Sequence, residues 1–212
     1  MPTFSLVINA GGQSRRMGQD KALLTVPNSG QPLLRHIVQR LQSLPIEQLI
    51  VVANNPQLAQ LVSLDGPALY VADVYPGVGP LGGIATGVLA CQDWGVYVAC
   101  DLPLVNPKIF HFLYELACEQ TETGDQRWDA IVPQIGGYAQ PLHALYQRSV
   151  LPAITKCLAI GERRATSFLK DVRVRWVSEA ELRPLDSNLH SFFNANTAEE
   201  WDEAIKLLAS EG

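Results

Sequence analysis

The stretch FSLVINAGGQSRRMGQDKALL, from Phe4 to Leu24, is the part of the chain that most strongly indicates its fold. The run from Phe4 to Ile8 is rich in β-formers and predicts a buried strand that ends at the edge of a sheet. Three glycines follow, together with the cations Arg15, Arg16 and Lys21. Glycines let backbone N–H groups approach an anion closely, and nearby cations strengthen the contact, so this loop indicates a phosphate site. A surface loop with solvated charges is the simpler alternative.

The length and composition of the chain favour a single globular domain. Its 212 residues are enough to bury a sizeable core, and 47% of them are hydrophobic while 17% are charged. The net charge of −5 and the sequence pI of about 5.3 argue against duplex nucleic acid as a partner, because such binding depends on many contacts between cations and phosphates.

The sequence also argues against several other classes of protein. No run approaches the roughly eighteen apolar residues of a membrane-spanning helix, and the N-terminal apolar run is too short for a secretory signal. We therefore expect a soluble, cytoplasmic protein with no membrane partner. The four cysteines form no C-x-x-C pair and the four histidines no H-E-x-x-H pattern, so neither set predicts a zinc site or a disulfide framework.

The first half of the chain alternates apolar runs with amphipathic segments. Each short run bounded by polar or turn residues predicts a buried strand, and each segment with helical spacing predicts a helix. This order implies a parallel sheet with right-handed crossovers. The predicted strands are 4–8, 49–53, 68–72 and 95–100, and the predicted helices are Gln31–Leu44, Pro56–Leu64, one within 73–90, and Pro107–Gln120.

The second half predicts one strand that runs against the others. A strand at 130–133 and a glycine turn lead into 141–146, which would return antiparallel. We expect a helix over 149–158, an edge strand at 172–177, a strand end with a helix cap at 192–197, and a last helix over 198–209. The predicted fold is α/β, a single-domain Rossmann-like three-layer sandwich with a mainly parallel sheet and one antiparallel strand.

Polar residues follow the predicted parallel strands, and they would share one edge of the sheet. Asn54 follows the second strand, Asp73 the third and Asp101 the fourth. Ligands of open parallel sheets bind beyond the carboxyl ends of the strands. Because Mg²⁺ at phosphate sites is commonly held through one or two carboxylates, Asp101 is the best candidate ligand. An aspartate that caps a helix or fixes a turn is the alternative for this residue.

The glycine loop matches neither of two common nucleotide-binding motifs. Gln19 follows Gly18 and no Ser or Thr follows Lys21, which excludes a Walker A loop. The pair Gly11–Gly12 does not continue as the dinucleotide-binding G-x-G-x-x-G. A phosphate loop of another kind remains.

The run AGGQSRRMGQDKALL resembles the A-G-G-x-S-x-R-M-G-x-D-K motif of nucleotidyltransferases, and in particular of the molybdenum cofactor guanylyltransferases. The resemblance extends to GVGPLGGI, CDLP, PLHALY, AIGERR and FFNANTAEEW, so it spans nearly the whole chain in the same order. The glycine motif is typical of the wider superfamily, whereas the Asn-x-Asn-Thr and Gly-Glu-Arg-Arg elements favour the molybdenum cofactor branch. The resemblance implies one nucleotidyltransferase domain over residues 1–212.

The same resemblance implies a GTP site. Lys21 would hold the phosphates, together with Arg15 and Arg16, and Asp101 would bind Mg²⁺. The nucleoside would be contacted by Asp73 and by an asparagine after the second strand, for which we favour Asn54 over the adjacent Asn55. The backbone around the first strand end would also contact GTP; its residues are Asn9, Ala10, Gly11 and Gly12.

Two positions depart from the family pattern. Family members often have Leu where this chain has Asn9, a change that a backbone contact would tolerate. The usual G-P-L-A-G appears as Gly79–Gly83, G-P-L-G-G, which indicates a close approach of the backbone.

The implied reaction transfers GMP from GTP to the terminal phosphate of molybdopterin and gives the guanine dinucleotide cofactor and pyrophosphate. Catalysis would consist of positioning and electrostatic stabilisation by Lys21, Asp101 and Arg15. A general base is unnecessary because the attacking phosphate is already ionised near neutral pH. The partners would be GTP, molybdopterin and, transiently, cofactor-insertion proteins or apo-molybdoenzymes.

The acceptor and the nucleotide are the parts that the sequence leaves open. Molybdopterin is large and anionic, so the resemblance makes Arg163, Arg164, Asn194 and Asn196 candidates to bind it. A solvated charge pair and a helix cap are the alternatives for these four residues. A related transferase for CTP or a sugar 1-phosphate, and a non-catalytic carrier of the cofactor, remain the competing functions.

Overall fold

The apolar run at the N-terminus forms a six-residue strand, β1, in which every residue is buried. The computed structural model of the protein describes residues 2–10, 20–27, 29–62 and 68–210. The strands in chain order are β1 (Phe4–Asn9), β2 (Thr25–Val26), β3 (Gln31–Pro32), β4 (Gln48–Val52), β5 (Ala68–Val71), β6 (Trp94–Ala99), β7 (Ala130–Ile135), β8 (Tyr138–Ala139), β9 (His143–Gln147) and β10 (Val174–Val177).

Seven α-helices connect or follow these strands in the described ranges. They are α1 (Leu33–Arg40), α2 (Gln57–Val62), α3 (Pro80–Ala90), α4 (Pro107–Ala117), α5 (Leu151–Ala159), α6 (Glu179–Leu182) and α7 (Ala198–Ser210). Of the helices described, none has both the length and the apolar character to cross a membrane.

Seven of the strands form the main sheet in the order β10-β7-β9-β6-β1-β4-β5, and β2 and β3 form a separate two-stranded sheet. β1 lies between β4 and β6 and pairs in parallel with both. β9 is the antiparallel member of this path, since it runs against β6 and β7, and the short β8 folds back on β7. The chain moves outward from β1 through β4 to β5 and then returns to β6, so the strand order reverses between β1 and β6. Ligands of such sheets bind at this reversal.

Two apolar clusters cover the two faces of the sheet. On one face, α1, α4 and α7 pack against β1 and β6 through residues such as Leu34, Phe110 and Leu208. On the other face, α3 and α5 pack through Ile84 and Ile154. The predicted three-layer α/β sandwich with a mainly parallel sheet is therefore confirmed.

Two predicted elements are wrong in their limits or type. The helix that was predicted from Gln31 begins at Leu33, because Gln31–Pro32 pairs with Thr25–Val26 in a small hairpin. Residues 192–197 contain no strand: a 3-10 turn ends at Phe192 and an irregular segment leads to α7. Phe192 is buried by packing against His143 rather than by pairing in the sheet.

The start of β7 is tied to the segment before β10 by an ion pair. The carboxylate of Asp129 accepts hydrogen bonds from Nε and Nη2 of Arg173, at 2.9 and 2.8 Å, and from the hydroxyl of Ser149 at 2.9 Å. Burial acts to raise the pKa of Asp129, but these hydrogen bonds outweigh it and the pKa is lowered. Through these hydrogen bonds, Asp129 joins the start of β7 both to the segment before β10 and to Ser149, which lies just before α5.

We expect Asp129→Asn to lower the free energy of unfolding by about 1.5–3 kcal/mol, because it removes charge-assisted hydrogen bonds from a buried carboxylate. Urea denaturation measures this loss. The control is Asp171→Asn, which breaks the 3.4 Å pair with the exposed Lys156 and should cost less than about 1 kcal/mol. Equal losses in the two variants would contradict the role given to Asp129.

A histidine is enclosed where β9 meets α4. The ring of His143 lies between those of Phe110 and Phe192, with centroid distances of 4.4 and 4.2 Å, and its Nε2 lies 3.3 Å from the hydroxyl of Ser191. Burial lowers the pKa of His143 to about 3. The folded protein thus keeps this ring neutral at pH values where an exposed histidine takes up a proton.

Between about pH 6.5 and 4.5 the unfolded chain binds a proton at His143 that the folded chain does not, so stability falls as the pH falls. The free energy of unfolding should decrease by up to about 1.4 kcal/mol per pH unit from this group. Urea titrations across this window, compared with His143→Gln, isolate the contribution. A slope that is the same in both proteins would show that His143 is not the cause.

Candidate functional site

The carboxyl ends of four neighbouring strands meet at one edge of the sheet. In the order β6-β1-β4-β5, these ends lead into Asp101, Asn9, Asn54 and Asp73, respectively. The structure therefore brings together four of the residues that the sequence singles out. The glycine loop that follows β1, with Gly11, Gly12, Arg15 and Arg16, lies outside the described residues.

The end of β1 is held by both neighbouring strands. The carbonyl of Asn9 accepts from the N–H of Cys100 at 3.1 Å, and the N–H of Ala10 donates to the carbonyl of Val52 at 3.0 Å. The side chain of Asn9 lies directly against α3, because a Cβ at Gly83 would come within 2.4 Å of its Nδ2. Asn9 therefore occupies space that only a glycine on α3 leaves open.

A lysine, an aspartate and an asparagine meet between β6 and the start of α7. Nζ of Lys21 donates to Oδ1 of Asn196 at 2.7 Å and lies 3.6 Å from Oδ2 of Asp101. The side chains of Lys21 and Asp101 are only 16% and 25% exposed. An ammonium and a carboxylate in this partly desolvated place interact more strongly than an exposed pair.

Of these three residues, Asp101 has the polar group that is least well satisfied by hydrogen bonds. Its Oδ1 is buried and accepts no hydrogen bond from any described residue. Burial raises the pKa of the Asp101 carboxyl above its ordinary value, and the positive charge of Lys21 offsets part of this rise. A buried carboxylate oxygen without a donor is a costly feature unless a cation or another donor occupies the space next to it.

The chemistry of this donor set fits a hard divalent cation. A single carboxylate is the usual protein contribution when substrate phosphates supply the other oxygen ligands of Mg²⁺. In the ranges that the structure describes, no group of three or more His, Cys, Asp or Glu could form a self-sufficient metal centre. Asp101 is therefore the residue that would hold a metal here, with Oδ1, which has no donor among the described residues, as the ligand atom.

Asn196 is positioned by a capping box at the start of α7. The carboxylate of Glu200 accepts from the N–H groups of Asn196 and Thr197 at 2.7 and 2.9 Å, and the hydroxyl of Thr197 accepts from the N–H of Glu200. The N–H of Ala195 donates to the carbonyl of Asp101 at 2.9 Å, which fixes this segment beside β6. Asn194 is exposed, and its amide reaches the carbonyl of Phe192 at 3.4 Å.

The two asparagines after β4 have different surroundings. Both polar atoms of the Asn55 amide make hydrogen bonds. Nδ2 donates to Asp20 at 2.8 Å, and Oδ1 accepts from the N–H of Gln57. Asn54 is exposed, and its Oδ1 accepts from the N–H of Asp73 at 3.0 Å. Asn55 thus acts as a helix cap and a link to the lysine-bearing segment, whereas Asn54 is joined to Asp73.

The carboxylate of Asp73 is fixed by its own loop and by α3. Its Oδ1 accepts from the N–H of Tyr75 and from the hydroxyl of Thr86, both at 2.9 Å. The loop itself lies close to the helix, because a Cβ at Gly82 would be 2.9 Å from the carbonyl oxygen of Tyr75. An alanine at position 82, as the family usually has, would require the backbone at Tyr75 to shift, so the glycine goes with the close approach that the sequence indicates.

The two predicted arginines lie apart from the asparagines. Arg163 and Arg164 are exposed, and in the described residues no hydrogen bond or ion pair joins them to Asn194 or Asn196. Arg163 borders a cavity of about 360 Å³ at the end of α5. The other lining residues are Tyr75, Val78, Thr155, Leu158, Ala159, Gly161 and Glu162, so the cavity opens beside the loop that follows Asp73.

Thr86, Asp20 and Glu200 belong to the site although the sequence does not single them out. Each had a visible signal. Thr86 is the one polar side chain in α3, Asp20 stands next to Lys21 in the glycine motif, and Glu200 stands three residues after the Thr197 cap. What the sequence could not show is which partner each of them contacts.

The chain is similar to known proteins over nearly its whole length. The family described as the MobA-like NTP transferase domain matches residues 6–179. The molybdenum cofactor guanylyltransferase of Syntrophotalea carbinolica is 34% identical over 200 residues, which cover 94% of this chain and 89% of that protein. A probable molybdenum cofactor guanylyltransferase of Carboxydothermus hydrogenoformans is 32% identical, with 99% of this chain and 98% of that protein covered.

A solved structure has the same fold over almost its whole length. Molybdopterin-guanine dinucleotide biosynthesis protein A from Archaeoglobus fulgidus superposes with a TM-score of 0.79 and is 25% identical, covering 97% of this chain and 99% of that one. The match of the family to most of the chain, together with relatives above 30% identity over nearly the full length, shows that the chain belongs to the MobA-like NTP transferase family.

Proposed function

We propose that this protein transfers GMP from GTP to the terminal phosphate of molybdopterin, forming the guanine dinucleotide cofactor and pyrophosphate. The observation that carries the proposal is the pairing of Lys21 with the partly buried Asp101 at the point where the strand order reverses. The names of the relatives, molybdenum cofactor guanylyltransferase, supply the nucleotide and the acceptor.

Asp101 would hold Mg²⁺ through Oδ1, which accepts no hydrogen bond among the described residues. When bound, the metal supplies positive charge that neutralises and orients the phosphates of the nucleotide. The residues of the chain do the rest. Lys21 lies beside Asp101, and its ammonium group would stabilise the charge that develops on the leaving pyrophosphate.

The lysine is oriented before any ligand arrives. One of its three N–H donors is used by Asn196, and the ammonium lies 3.6 Å from a carboxylate oxygen of Asp101, which leaves donor capacity for a phosphate oxygen. Such preorganisation lowers the cost of ordering a long side chain in the bound state. Arg15 and Arg16 would add positive charge on the β- and γ-phosphates, and they lie outside the described residues.

The nucleoside would bind beyond β4 and β5. Asn54 and Asp73 are joined by a hydrogen bond at 3.0 Å, so they would act on the nucleoside as a unit. Asn55 is occupied by Asp20 and Gln57, which supports Asn54 as the contacting asparagine. The backbone of Asn9, Ala10, Gly11 and Gly12 completes the proposed contacts of GTP.

The acceptor would approach from the opposite side of the phosphates. Asn196 lies within reach of Lys21, so it would contact the attacking phosphate end of molybdopterin, and Asn194 is two residues away. Arg163 borders the cavity next to Tyr75, on the Asp73 side of the site, so Arg163 and Arg164 would bind an anionic part of the acceptor that extends across the carboxyl ends of the strands. Delivery of the product would involve transient contact with cofactor-insertion proteins or apo-molybdoenzymes.

Incubation with GTP, MgCl₂ and molybdopterin should yield pyrophosphate and the dinucleotide cofactor in equal amounts, and EDTA should stop the reaction. We expect Asp101→Asn to lower kcat/KM by about 100-fold or more, because it removes the charge from the metal ligand while keeping the side-chain size. Parallel reactions with CTP, UTP, ATP and a sugar 1-phosphate test the competing transferases. A preference for another nucleotide, or unchanged turnover in Asp101→Asn, would overturn the proposal.

Asn196→Ala should weaken GTP binding about three- to tenfold, because Lys21 loses the hydrogen bond that orients it. Equilibrium binding of GTP in the presence of Mg²⁺ measures the change without the acceptor. Asn194→Ala is the matched control, since its amide contacts only the carbonyl of Phe192 among the described residues. Equal GTP affinity in both variants would mean that Asn196 does not act through Lys21.

A further inference from the structure

Thr86 stands out from the helix that carries it. α3 reads PLGGIATGVLA, and Thr86 is its only polar side chain. The residue is 1% exposed in the middle of the helix, surrounded by buried apolar neighbours such as Ile84 and Val88. A β-branched hydroxyl residue is a poor choice for a buried helix interior on propensity alone. Its hydroxyl lies within hydrogen-bond distance of the carbonyl of Gly82 in the same helix, and it also makes contacts outside the helix.

The contacts outside the helix are hydrogen bonds between the hydroxyl of Thr86 and the loop after β5. The N–H of Val74 donates to Oγ1 of Thr86 at 3.1 Å, and Oγ1 lies 2.9 Å from Oδ1 of Asp73 and 3.0 Å from the carbonyl of Gly82. The hydroxyl has one proton to donate. The carboxylate is the stronger acceptor, because a hydrogen bond to an ionised group is about twice as strong as a neutral one.

These hydrogen bonds occupy one carboxylate oxygen of Asp73 and leave the other without a donor among the described residues. Oδ1 accepts from both Thr86 and the N–H of Tyr75, while Oδ2 takes no hydrogen bond in the described part of the chain. Because Asn54 uses its Oδ1 on the N–H of Asp73, its amide NH₂ remains as a donor. The two side chains thus present a fixed acceptor and a donor that are connected through one backbone N–H.

We infer that Thr86 is a positioning residue that orients the carboxylate of Asp73 toward the nucleoside of the bound nucleotide. The inference rests on the proposed function, in which Asp73 contacts the nucleoside of GTP. Oδ2 would accept hydrogen bonds from ring N–H groups, exocyclic amines or ribose hydroxyls of the nucleoside. Without the hydroxyl of Thr86, Asp73 keeps only the Tyr75 N–H on Oδ1, and its side chain loses the bond that ties it to α3.

The test compares Thr86→Val, which keeps the shape of the side chain, with Thr86→Ser, which keeps the hydroxyl. Thr86→Val should raise both the dissociation constant and the KM of GTP about tenfold, while kcat changes by less than about twofold, because the chemical step lies at the phosphates. Thr86→Ser should retain near wild-type values. Thermal unfolding of both variants checks that the fold is intact.

A double-mutant cycle separates positioning from a general structural effect. In an Asp73→Ala background, Thr86→Val should have no further effect on GTP binding, because there is no carboxylate left to orient. A tenfold loss that persists in that background, a fall in kcat instead of a rise in KM, or no rescue by Thr86→Ser would overturn the inference.

The same measurements distinguish failure of this inference from failure of the proposed function. Binding of CTP, UTP and ATP to the wild-type protein reports the nucleotide preference by itself. If one of these binds better than GTP, the proposed guanylyl transfer is wrong, and the cycle is measured with that nucleotide. If GTP is preferred but Thr86→Val binds it normally, only the role of Thr86 is wrong.

Discussion

The parallel pairing of β1 with β4 on one side and β6 on the other is the constraint on which this edge of the molecule depends. The register places Asn9 opposite both Val52 and Ala99, so the three strands end at nearly the same level. The residues that follow must then leave the sheet side by side. Asp101 and Asn54 are therefore neighbours of Asn9 through backbone hydrogen bonding, without any direct attraction between their side chains.

The two aspartates at this edge, Asp101 and Asp73, differ in their burial and in their hydrogen bonds. Asp101 has a buried oxygen that lacks a donor among the described residues, and its raised pKa reflects the cost of keeping charge there. Asp73 has one oxygen satisfied by Thr86 and Tyr75 and remains partly exposed. The first gains most from a cation, whereas the second gains from neutral donors of fixed direction.

Local pattern was enough to predict these strands, because β1 and β6 are largely apolar runs, β1 ends at the polar Asn9, and Asp101 follows β6 after one residue. Pattern failed at Phe192, which was predicted at the end of a strand but is buried against His143 outside the sheet. It could not reveal the bond between Lys21 and Asn196, which are 175 positions apart. Such contacts depend on where α7 begins relative to β6, and that distance is set by tertiary packing. The same reason conceals the partner of Thr86, although its unusual place in an apolar helix is visible in the sequence.

Helix α3 packs against both the end of β1 and the loop after β5. Glycines cost an isolated helix about 1 kcal/mol each relative to alanine, so α3 owes its stability to packing rather than to propensity. Gly82 lets the loop at Tyr75 approach, and Gly83 makes room for Asn9. Gly87 meets Val7 on β1, where a Cβ would come within 2.7 Å. α3 therefore packs closely against β1 and the loop at Tyr75 and, through Thr86, bonds to the carboxylate of Asp73.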